Sequence, residues 1–105
     1  MSADKEEMSI EISVDELVRQ EWKLMADLRK MLADPSLSNS EKIRVANAIA
    51  YHSLVINKLL AQKGDEDEFD EESLGQYIEH YAQRRVARIV RRDFRIWKRR
   101  LSYQK

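Results

Sequence analysis

Two glycines and one proline are all that interrupt 105 residues. A chain so poor in turn formers and so rich in Leu, Ala, Glu, Lys and Arg can satisfy its backbone in one economical way, as a few long helices. The expected class is therefore all-α. At this length one domain holds only a modest core, and pairing with a second copy would enlarge it. Charged residues make up 36% of the sequence, which suits helices with one wet face.

Ser13 and Glu16 have the spacing of a capping box. Val14, Leu17, Val18, Trp22, Met25, Leu28 and Leu32 then recur at helical intervals to about residue 33. Pro35 closes that element within the turn DPSLSNSE, and Ser38 with Glu41 opens a second helix over about 39–62, which Gly64 is placed to end in a left-handed cap. The short connection makes 13–63 an antiparallel hairpin, the assembly core. Before it, residues 1–12 read as a flexible acidic tail. After it, 64–72 read as an acidic linker, with seven carboxylates in the eight residues 65–72. That run lacks the central glycine and alternating ligands of a calcium loop, so no metal is assigned to it. A single long basic helix is expected from about 73 to the end.

Both hairpin helices carry one polar residue inside an apolar arc. Glu21 lies among Val14, Leu17, Met25 and Leu28, and His52 among Val45, Ile49, Ile56 and Leu59. An antiparallel turn near residues 36 and 37 sets the two at one height, so they are expected to answer each other as a structural polar pair that fixes register. A second apolar seam on the second helix, Ile43, Ala50, Leu54 and Ala61, requires a second neighbour. That neighbour is either the start of the third helix or a second copy, and a homodimeric helical bundle joined along the seam is the favoured arrangement.

The net charge is zero, yet residues 84–105 hold ten Lys and Arg against one Asp, leaving the rest at −9. On a helix Arg84, Arg85, Arg88, Arg91, Arg92, Arg95, Lys98 and Arg99 fall in one arc. Their mutual repulsion points to an anionic partner, and the preference for arginine, whose planar fork grips phosphate oxygens in pairs, points to nucleic acid held by its backbone. DNA is favoured over RNA. Beside the stripe, Phe94, Trp97 and Leu101 form an apolar face. The competing reading is an adaptor that docks this face into a larger complex, and acidic membranes or acidic segments of a second copy are further partners for the cations.

No nucleophile is paired with a base, no glycine loop cradles phosphate, and no cysteine is present, so no catalytic residue, cofactor or metal site is expected. Nor does a tight turn with a short recognition helix appear, which argues against base-specific reading. A helical hairpin for assembly beside a charged terminal segment resembles, in architecture alone, small non-catalytic subunits such as those of viral terminases. No motif residue carries over, and their N-terminal DNA-binding module has no counterpart here. With no apolar signal core at the start and no run long enough to span a bilayer, a cytoplasmic, membrane-free protein is expected.

Overall fold

A computed structural model describes residues 13–64 and 69–103, without the side chains of 102 and 103. The tail assigned to 1–12 and the first half of the acidic run, 65–68, lie outside the described residues. Four α-helices make up the described chain: α1 (Val14–Leu32), α2 (Asn39–Gln62), α3 (Glu71–Glu79) and α4 (Arg84–Tyr103). The fold is all-α.

The first two helices begin where the capping residues require. Ser13 Oγ accepts the Glu16 N–H at 3.1 Å. Ser38 and Glu41 close a full capping box, each side chain taking the other's backbone N–H at 3.2 Å. At the far end of α2, Gly64 adopts φ +77°, a conformation open to glycine at little cost, and the chain leaves the helix there. Helices α1 and α2 run antiparallel, with Glu21 facing His52.

The expected single helix over 73–105 is broken. The chain leaves α3 at His80, turns through Tyr81 and Ala82, and restarts as α4 at Arg84; the Tyr81 and Ala82 N–H groups both return to the Ile78 carbonyl, at 2.9 and 3.0 Å. The cause lies in the apolar pattern. The face of Leu74 and Ile78 is rotated about a third of a turn from that of Val86, Val90 and Phe94, so one straight rod cannot seat both. With the break, all five side chains are at most 5% exposed. The linker is also shorter than 64–72, because Asp70 already caps α3 and exchanges hydrogen bonds with Ser73, 2.7 and 3.0 Å long.

Helix α4 lies parallel to α2 with a constant offset. Arg85 reaches Asn39 Oδ1 at 3.2 Å, Asn47 Nδ2 donates to Asp93 at 3.2 Å, and the Tyr51 and Trp97 rings stand 5.1 Å apart. Helix α3 folds back antiparallel on α4 and touches α1 through an aromatic cluster, with Phe69 and Tyr77 around Trp22. Asn57 fixes the entry to α3. Its side-chain amide donates to the Phe69 carbonyl and accepts the Phe69 N–H, both at 2.8 Å, as a neighbouring strand would. Met25, Ile49, Ile56, Leu74, Ile78 and Phe94, each at most 1% exposed, form the centre where the helices meet.

Candidate functional site

The inner side of α4 is its apolar arc, Val86, Ala87, Val90 and Phe94, and it is buried against α2 and α3. Phe94 is 1% exposed, so it belongs to the core and is no docking residue. The reason is the parallel packing of α4 on α2, which the sequence pattern of α4 alone does not contain. Burying such a ring is worth about 1.5–3 kcal/mol against leaving it in water. Of the expected partner face, Trp97 packs half-buried against the core and Leu101 stays 38% exposed.

The outer side of α4 is a crown of arginines. Arg84, Arg88, Arg92, Arg95 and Arg99 follow one another at steps of four, four, three and four residues and are all exposed, a line of about 22 Å at 1.5 Å per residue. Arg84, Arg88 and Arg99 meet no carboxylate among the described residues. Arg85 is exposed and turns to Asn39. Lys98 is exposed beside the crown. Arg92 donates to Asp93, the one acid of this segment, which Asn47 holds in an almost buried position.

The flank toward α3 is different. The Arg91 guanidinium lies between Glu79, at 3.4 Å, and Glu72, at 3.9 Å, and Arg95 Nε donates to Glu71 at 2.9 Å. Arg91 also lies directly over Gly75, where a Cβ would collide with its Nε, and that Nε is buried with no hydrogen-bond partner among the described residues. The expected stripe of eight is thus divided. Acidic residues of the same chain take up three of its arginines, Arg91 and Arg95 on this flank and Arg92 at Asp93, a role that had been open to a second copy.

Sequence reasoning missed the glycine slot. Its signal was Gly75 in the middle of a helical pattern, where glycine costs about 1 kcal/mol and needs a packing reason. It also left Arg100 outside the stripe, although its guanidinium sits 5.5 Å from the Trp97 ring centre.

The seam expected to join two copies is half occupied at home. Ala50 is fully buried and Leu54 packs against the core, because the second neighbour of α2 is the chain's own α4; Ile43 and Ala61 remain exposed. Glu21 and His52 are brought together, with His52 Nδ1 2.8 Å from Glu21 Oε2. Among the described residues no group of three acidic, histidine or cysteine side chains could hold a metal ion. None of the described helices is long and apolar enough to cross a membrane.

No family model, no curated protein and no solved structure matches the chain.

Proposed function

We propose that the protein is a small non-catalytic accessory protein, working as a homodimer, that holds the phosphate backbone of nucleic acid on the arginine crown of α4 with little preference for sequence. The observation that supports this is the division of the arginines. Once Arg91, Arg92 and Arg95 are taken by the chain's own carboxylates, Arg84, Arg88 and Arg99 still project from the side opposite the core with no acidic partner among the described residues. Like charges one turn apart repel by a few tenths of a kcal/mol per pair, so the row is costly unless polyanion contact offsets it. The helix presents a straight line of guanidinium groups, which suits a duplex backbone; duplex DNA is the preferred partner.

The test is fluorescence anisotropy with labelled duplex DNA, single-stranded DNA and RNA at 50 and 200 mM salt. Three phosphate contacts should lower duplex affinity by roughly one to two decades across that range. Reversing the crown (Arg84→Glu, Arg88→Glu, Arg99→Glu) should remove binding while the circular dichroism spectrum stays helical. Neutralising the α3 flank (Arg91→Gln, Arg95→Gln) should cost far less. Absence of binding at 50 mM salt would reject the reading.

A further inference from the structure

The hairpin has two apolar sides, and α3 and α4 cover only one of them. On the other, Leu24 of α1, Tyr51 of α2 and Leu101 of α4 are 36–38% exposed, and Val55 and Leu59 are half-buried between them. Two open grooves, about 510 and 270 Å³, adjoin Tyr51 and Leu101. In the first lies His52, paired with Glu21, their side chains 26% and 21% exposed. A contiguous apolar surface of this kind on a small protein marks an interaction site.

The charges along its edges say what fits it. On the α1 edge stand the exposed acids Glu16 and Asp27, and on α2, in line with Tyr51 at seven-residue steps, the exposed cations Arg44 and Lys58. None of the four forms an ion pair among the described residues. The register that sets Glu21 against His52 puts Asp27 at the height of residue 46, close to Arg44, and Glu16 at the height of 57, next to Lys58. The face is therefore complementary to itself. Rotation by 180° about an axis parallel to the helices keeps every height and exchanges the edges. It sets Asp27 against Arg44 of a second copy and Glu16 against Lys58 of a second copy, twice each. An axis across the helices would instead oppose acid to acid.

We propose that a second copy of this chain covers the open face of the hairpin about a two-fold axis parallel to α1 and α2 and running between them, so that α2 with Tyr51 lies on α1 of the second copy. The proposal rests on the homodimer named above but not on phosphate binding, and it turns the interface on α2 from the Ile43–Ala61 seam to the adjoining line of Tyr51, Val55 and Leu59. The isologous contact buries the apolar strip and encloses the Glu21–His52 pairs, which then specify register between copies as well as within one.

Sedimentation equilibrium of the full chain tests it. The unaltered protein should be dimeric, and Tyr51→Glu, which sets a carboxylate in the apolar strip against the acidic α1 edge of the second copy, should give a helical monomer. Asp27→Arg alone and Arg44→Asp alone should each raise the dimer dissociation constant by about tenfold, and the two together should restore it, since the exchanged charges again face their opposites. A monomer at every concentration would overturn the proposal and the homodimer with it, leaving the face to a different protein. A dimer indifferent to Tyr51→Glu, or one the charge exchange does not rescue, would overturn this face alone. Anisotropy decides the phosphate reading separately.

Discussion

Arg88 and Arg91 are three residues apart on the same helix, yet they inhabit different worlds. Arg88 stands on the crown, in water, with no acid near it among the described residues; Arg91 is pressed onto Gly75 between Glu72 and Glu79. One is a charge available to a partner, the other a fastening between two helices of one chain. A count of cations along a helix does not reveal which are free. That is decided by what packs against each flank, and here an acidic nine-residue helix has been folded against one flank only. Exposed ion pairs are worth about 0–1 kcal/mol each, so the fastening acts less through energy than by directing the arginines that remain.

The distinction between crown and flank exists only while the inner face of α4 is held down. Phe94→Ala should therefore have the largest effect, a loss of about 3–5 kcal/mol, because it empties a site at the centre where α2, α3 and α4 meet. Thermal or urea denaturation would measure it. Trp97→Ala, at a half-buried ring, should cost clearly less. Equal losses at the two positions would mean that α4 is not seated by Phe94 as described.

Much of this arrangement was legible in the residues. The caps at Ser13, Ser38 and Gly64, and the meeting of Glu21 with His52, follow from local rules: periodicity, cap chemistry and the register that a short turn imposes. What escaped was of longer range. Nothing in the segment His80–Gln83 is a helix breaker, so the division of α3 from α4 had to come from tertiary demand, the need to seat two apolar faces of different azimuth. The shift in azimuth is present in the apolar spacing, but spacing alone does not say whether one rod seats its two faces on different bodies or breaks between them. Phe94 and Ala50 were misplaced together and for one reason. Each is half of a contact between α2 and α4, helices whose parallel pairing depends on the way the chain returns through α3. The cations were legible as charge and not as surface, since Glu71 and Glu72 read simply as linker and Glu79 as part of the same unbroken helix as the arginines.

A milder change should turn a flank arginine into a crown arginine. Gly75→Ala introduces a methyl group where the Arg91 guanidinium lies, and the flexible side chain must swing away from α3. Alanine gains about 1 kcal/mol of helix propensity over glycine, set against the lost contacts of Arg91, so stability should change little. The released guanidinium is then free for phosphate, and the slope of log affinity against log salt should steepen by about one contact in the anisotropy experiment. An unchanged slope would show that Arg91 has no access to the ligand even when free.

The smallest effect concerns the cap that starts the acidic helix. The Ser73 backbone N–H and hydroxyl hold the Asp70 carboxyl below its ordinary range, and the Ser38 side chain and backbone do the same for Glu41. A carboxyl with a depressed folded-state pKa contributes stability that is fully present above its unfolded value, near pH 4, and is lost as pH falls through the folded value, because the unfolded chain then binds more protons. Melting temperature should accordingly drop between about pH 5 and pH 2. Asparagine caps a helix about as well as aspartate and does not titrate, so Asp70→Asn should melt like the parent at pH 7 and lose less on acidification. Part of the drop must persist, since the carboxyls of Glu41, Asp34 and Asp15 are also depressed, the last by its pairing with Lys63. An Asp70→Asn variant with an undiminished acid drop would mean that protonation does not undo the cap. The acid sensitivity of the fold would then originate in the hairpin, where Glu41 and Asp15 lie, and not in the helix that separates flank from crown.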